Sequence, residues 1–178
     1  MKKLARMSGW VLGSLVLGAA LPAGAWGQTT SRATGLAVNT AVANVTSPVA
    51  QLPGDGSMAT DNTPNVSVNG LAGADNLFAM ATGGDGSAES NSTLENVSLL
   101  NGLITANSVV ALAGSWLTDL GASSNASGSQ LDNLVVNGVS YSSGVAPNTR
   151  VSLPGVGYVV LNEQRRTGDG FSSKEFCK

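Results

Sequence analysis

The chain has no histidine, a single cysteine, and few charged or aromatic residues: 11% are Asp, Glu, Lys or Arg and 4% are Phe, Trp or Tyr. Each shortage excludes something. Without histidine, neither a Ser-His-Asp nor a Cys-His nucleophile system can be assembled. Zinc sites lose their commonest ligand for the same reason. A lone Cys177 cannot close an internal disulfide, so the chain is not a disulfide-stapled scaffold. The formal net charge is −2, and basic residues are sparse away from the two ends. There is no phosphate-binding footprint, and no nucleic-acid partner is expected.

Three of the basic residues stand where export needs them. Lys2, Lys3 and Arg6 precede an uncharged apolar run from Trp10 to Leu21. Pro22 ends the run, and small residues follow at Ala23, Gly24 and Ala25. This is the three-part order of a secretory signal peptide. The apolar run partitions into the membrane while the positive end stays inside. Cleavage is expected after Ala25, with Gly27 as the second choice. The alternative is a membrane anchor, but the run is well short of the ~20 residues a spanning helix needs. No later stretch is long and apolar enough to span, so no transmembrane segment is expected in the mature chain. No cysteine lies near Ala25, which argues against a lipid anchor.

Removal of residues 1–27 leaves roughly 150 residues, the size of one domain. What remains is rich in Gly, Ser, Thr, Asn, Ala and Val, with Val and Leu in regular patches. That composition differs from a charged, disordered segment and suits a turn-rich extended architecture. A short motif recurs. Asn65 to Leu71 reads NVSVNGL, Asn96 to Leu103 reads NVSLLNGL, and Asn133 to Val139 reads NLVVNGV. Each is a β-prone run ending in Asn-Gly, the pair that best tolerates the positive φ of a hairpin turn. The last two copies also share a lead-in, Ser92-x-Leu94-Glu95-Asn96 against Ser129-x-Leu131-Asp132-Asn133. Spacing is ~32 and ~36 residues, counted from Asn69 to Asn101 to Asn137.

The clearest predicted hairpin joins Ser92–Leu100 to Leu103–Gly114. Near the end, Val151–Leu153 and Tyr158–Leu161 flank a Pro154-Gly155 turn. The Gly/Ser/Asp-rich stretches Gly83 to Ser87 and Gly121 to Ser129 read as surface turns between units. Residues 28–63 read as a weakly structured segment with one strand over Leu36 to Val45, followed by a loop or linker from Ser47 to Ser57. No amphipathic helix is evident; Ser115 to Leu120 allows one helical turn at most. The expected organisation is a signal peptide at 1–27, the weak segment at 28–63, a β-rich domain at 64–170 and an irregular tail at 171–178. The fold class expected is all-β, an antiparallel sandwich or twisted hairpin-built sheet, with a β-solenoid as the alternative.

Candidate sites are weak. Acidic residues beside small turn residues at Asp55-Gly56, Asp75-Asn76, Asp85-Gly86 and Asp169-Gly170 invite calcium, which wants clustered oxygens. None completes a calcium loop, and ordinary turns account for Asp-Gly pairs. Glu89, Glu95, Asp132 and Glu163 form the pool for a carboxylate-dependent hydrolase, but no spacing singles out a pair. The plainer role for such acids is to keep strand edges soluble. Trp116, Tyr141 and Tyr158 would make a carbohydrate platform if they shared one exposed face; otherwise they are core or interface residues. Asn44, Asn65, Asn91, Asn96 and Asn125 sit in Asn-x-Ser/Thr sequences. Several of them begin the repeated motif, which favours a structural role. No catalytic residue, cofactor or metal site is assigned.

Three segments carry a family likeness: STLENVSLLNGLITANSVVALA from Ser92, SQLDNLVVNGV from Ser129, and APNTRVSLPGVGYVVLNEQ from Ala146. The last is the most specific. Together, over residues 87–170, the chain resembles the bacterial choice-of-anchor P family of secreted surface proteins. The resemblance implies a β-rich surface protein and brings no catalytic residue with it. The chain departs from that pattern after Gly170, where FSSKEFCK replaces the further apolar strand expected before an anchor. The expectation is a truncated or frameshifted end that leaves closure of the sheet open. The function expected is a non-enzymatic secreted or cell-surface structural or adhesive protein, meeting cell-envelope or other surface components. The alternatives are an extracellular carbohydrate- or ligand-binding β module and a small carboxylate hydrolase.

Overall fold

The computed structural model of the chain describes residues 17–20, 29–168 and 173–177. It is all-β, and every strand pair is antiparallel. In chain order the strands are β1 (Leu17–Ala20), β2 (Thr30–Asn39), β3 (Asn44–Gln51), β4 (Ala59–Val68), β5 (Ala72–Gly84), β6 (Ser87–Leu99) and β7 (Ile104–Thr118). Then come β8 (Gly121–Asn125), β9 (Gln130–Asp132), β10 (Leu134–Val136), β11 (Val139–Tyr141), β12 (Thr149–Leu153), β13 (Gly157–Leu161), β14 (Gln164–Gly168) and β15 (Ser173–Cys177).

One sheet runs β14-β15-β1-β2-β3, and a larger one runs β11-β10-β7-β6-β5-β4. β8, β9 and β10 fold back in succession along the free edge of β7, so that this long strand is paired on both sides. β2 and β3 cover β5 and β6, which makes the arrangement sandwich-like with open edges. The hairpin β12–β13 forms a third, two-stranded sheet whose Leu153 and Leu161 enter the main core. Pairing that is antiparallel throughout sets the fold apart from a β-solenoid, whose coils stack in parallel.

The Asn-Gly turns form where the motif places them. Asn137 and Gly138, at φ 49° and 76°, link β10 to β11, and Asn101 and Gly102 lie in the turn after β6. Gly83 to Ser87 is a turn, as expected: Asp85 and Gly86 both take positive φ (48° and 79°), as a two-residue hairpin requires. Other segments differ from expectation. Gly121–Asn125 is β8, paired with β7. Ser115 to Thr118 continues β7 and forms no helical turn. Residues 28–63 carry β2, β3 and the first half of β4. The strand expected over Leu36 to Val45 is broken at 40–43, where the Thr40 hydroxyl accepts the Ala43 N–H and turns the chain. The tail expected to be irregular contains β15. β1 lies inside the stretch assigned to the export signal, paired with β2 and β15; the cleavage-site residues 22–27 lie outside the described residues.

A seam of irregularities crosses the larger sheet. Asp75-Asn76, Glu95-Asn96 and Asp132-Asn133 are each two consecutive exposed residues, where alternation would bury one. In each pair the asparagine is left-handed, with φ 48°, 49° and 48°. Asparagine is among the few L-residues that adopt this conformation readily. The register places Asp75 opposite Glu95, Glu95 opposite Ser108, and Ser108 opposite Asp132. The extra residue in each strand resets the alternation, so Ala74 and Leu77, and likewise Leu94 and Val97, all face the core.

The core has two parts. Around Leu36, Leu77, Leu94, Ile104 and Val136 it is built of branched side chains, each contributing about 2 kcal/mol when fully buried. Beside it, Ala33, Ala50, Ala79 and Ala81 pack with Leu52. Small side chains let the two sheets approach closely there, and buried serines cross the gap. The Ser31 hydroxyl donates to the Glu89 carbonyl at 2.6 Å and lies 2.7 Å from the Ser90 hydroxyl. Ser92 donates to the Thr34 carbonyl at 3.0 Å. Gly35 is required at the same interface: a Cβ there would overlap Pro48 Cδ and sit 3.0 Å from the Ser47 carbonyl oxygen.

Candidate functional site

The outer face of the larger sheet carries a groove of about 510 Å³. β7 from Leu112 to Trp116 forms its floor, Thr82 and Glu89 one wall, Asn125 and Ser127 the other, and the β5–β6 turn with Asp85 its end. Alternation explains which groups reach it. Ala88 and Ser90 on β6, and Ala113 and Ser115 on β7, face the core and are buried. Glu89 and Trp116 therefore point outward. Register completes the arrangement, because Thr82, Glu89, Gly114 and Asn125 lie in one row across four strands.

On the side of β7 that faces the gap between β8 and β9, the Leu112 backbone has no strand partner, and Ser129 substitutes for one. Its Oγ accepts the Leu112 N–H at 2.9 Å and donates to the Leu112 carbonyl at 3.2 Å. The Trp116 ring lies beside Gly114, with Cζ3 3.5 Å from where a Cβ would be, an ordinary van der Waals distance. Asn125 is held by its Oδ1, which accepts the Ser127 N–H at 3.1 Å. Ser115 Oγ and Asn91 Oδ1 are buried without a hydrogen-bond partner.

The three aromatics considered as a platform are not brought together. Trp116 lies at one end of β7. Tyr141 sits on β11, level with the opposite end of β7 and packed against the core. The separation is about ten residues of strand, or ~33 Å. Tyr158 is on the β12–β13 hairpin, where the Arg150 guanidinium lies 3.8 Å from its ring centroid.

The acids scatter as well. Glu95 and Asp132 share the seam but are separated by β7, about 10 Å at the backbone. Glu89 lines the groove, and Glu163 pairs with Arg165 at 2.7 Å. Among the described residues, no three His, Cys, Asp or Glu side chains converge as metal ligands. Of the calcium candidates, Asp55 Oδ1 accepts the Ser57 hydroxyl at 2.7 Å and the Ser57 N–H at 2.9 Å. These two bonds hold its carboxyl below the usual aspartate range, the hydroxyl contributing most. Asp85 is a turn residue, Asp75 a seam residue, and Asp169-Gly170 lies outside the described residues. Of the Asn-x-Ser/Thr asparagines, Asn96 donates to Asp75, Asn44 opens β3 and Asn65 pairs opposite Asp75.

Sequence reasoning reached Trp116, Glu89 and Asn125 by three unrelated routes and did not place them together. It missed Thr82, Leu112 and Gly114. The available signal was Gly114 two residues before Trp116, a spacing that puts both on one face of a strand. Among the described residues, no helix is long and apolar enough to cross a membrane. No family model, no curated protein and no solved structure matches the chain.

Proposed function

We propose that the protein is a non-enzymatic secreted or cell-surface protein with a structural or adhesive role. What supports this reading is the all-β, antiparallel, sandwich-like body, joined to the export signal expected from the sequence of residues 1–27. Such a body keeps its strands rigid and displays its turns. The resemblance of residues 87–170 to choice-of-anchor P surface proteins supports the same reading.

The test is expression of the full chain in a bacterial host, followed by fractionation and N-terminal sequencing. The expected product lies outside the cytoplasm and begins at Trp26 or Gln28. A cytoplasmic product that retains the apolar run would overturn the proposal.

A further inference from the structure

Trp116 lies along the outer face of its strand. Its six-membered ring lies beside Gly114, with Cζ3 3.5 Å and Cε3 3.9 Å from the position a Cβ would take there. The side chain is half-buried and lines the groove. Glu89, Asn125, Thr82, Ser127 and Leu112 line it too. Among the described residues, no Lys or Arg lines the groove.

These groups select among ligand chemistries. An anion would meet Glu89 and Asp85, with no cation among the described residues to offset them. A wholly apolar ligand would strip water from the acids and the amide and return no hydrogen bond. A metal ion would lack converging ligands among the described residues. An organic cation is best held by a cage of several rings, and among the described residues one ring lines this groove. A neutral ligand with a flat C–H face and a rim of hydroxyls fits all of the groups. Its face would stack on the indole, its hydroxyls would donate to Glu89, and its oxygens would accept from Asn125. The volume falls in the range of small-ligand sites, which combine apolar surface with a few placed polar groups.

We propose that this groove binds neutral carbohydrate, with Trp116 as the stacking platform and Glu89 and Asn125 as polar anchors. The proposal deepens the adhesive reading by naming its ligand class. The two fail separately, since binding is measured on purified protein and location on cells.

The test follows the Trp116 indole N–H by NMR on the purified protein, assigned by its loss in Trp116→Phe. The probes are neutral hexasaccharides of α-1,4-glucose, β-1,4-glucose, β-1,4-galactose, β-1,4-mannose and β-1,4-N-acetylglucosamine. At least one is expected to shift the signal saturably. Glu89→Gln is expected to weaken that binding about tenfold at unchanged melting temperature, the effect of losing one charge-assisted hydrogen bond. Tyr158→Ala is expected to change nothing. No shift with any of the five, a shift with choline or an oligogalacturonate alone, or undiminished binding by Glu89→Gln would each overturn the proposal.

Discussion

Asn76 Nδ2 donates to Glu95 Oε2 at 2.6 Å, and Asn96 Nδ2 donates to Asp75 Oδ2 at 3.1 Å. The two bonds cross between β5 and β6 at the point where both strands carry an extra outward residue. Each asparagine therefore does two things: it adopts the left-handed conformation that resets the alternation, and it ties its strand to the acid opposite.

Substitutions at Asn76 separate the two roles. Asn76→Gly keeps access to positive φ and loses the hydrogen bond, so a loss of about 0.5–1 kcal/mol is expected. Asn76→Ala loses both, and a left-handed alanine costs roughly 1 kcal/mol more. Urea unfolding of the two variants measures the difference. Equal stability would mean that φ at this position is not what the asparagine supplies.

The edge of the smaller sheet is closed by one side chain. β3 is an outer strand, and its Val49 N–H, facing away from β2, donates to Asp61 Oδ2 at 2.9 Å. Pro48 beside it has no N–H to offer. Asp61→Ala uncovers an edge donor that another chain can pair with. The expected result is small loss of stability, under about 1 kcal/mol, with concentration-dependent association in light scattering. Asp61→Asn retains an acceptor oxygen and is expected to stay as monodisperse as the parent.

Ser57 sets the acidity of Asp55. Both bonds to the Asp55 carboxylate favour its charged form, the Ser57 hydroxyl most, so the folded carboxyl titrates below the ordinary aspartate value. A lowered folded pKa means that this contribution is present above the unfolded pKa and is lost as pH falls through the folded one. Carboxyl ¹³C chemical shifts followed through acid titration should give a midpoint below the usual range for Asp55. Ser57→Ala removes the larger of the two causes and is expected to move that midpoint back up, leaving the N–H bond in place.

Much of this fold is legible in the sequence because its signals are local. Asn137-Gly138 and Pro154-Gly155 are turns at the predicted places, and the runs around them alternate as strands do. Two features were not legible. The seam is one: Leu94-Glu95-Asn96 and Leu131-Asp132-Asn133 show as a shared lead-in, but their alignment with Asp75-Asn76 depends on strand register, which no single stretch encodes. The groove is the other. Thr82, Glu89, Gly114 and Asn125 are neighbours only because β5 to β8 pair in one register. Segments 28–63 and 121–125 misled for a related reason, since short strands full of Ser, Thr and Gly draw their stability from partners rather than from their own propensity.

The serines between the sheets make the sharpest test of that dependence on partners. Ser31 and Ser90 are almost fully buried, at 1% and 0% exposure. Since Ser31 donates to the Glu89 carbonyl, the hydroxyl–hydroxyl contact is completed by Ser90 donating to Ser31. Ser31→Ala then strands the Ser90 hydroxyl in a core of alanines, and an unsatisfied buried donor costs about 1–3 kcal/mol. Ser90→Ala leaves Ser31 its bond to Glu89 and should cost less, about 1 kcal/mol. The double variant removes both hydroxyls together, so it is expected to be no less stable than Ser31→Ala alone. A double-mutant cycle from urea unfolding reads this as a coupling of opposite sign to the single losses. Simple additivity would show that the two hydroxyls do not depend on each other, and that the close approach of the sheets rests on the alanines alone.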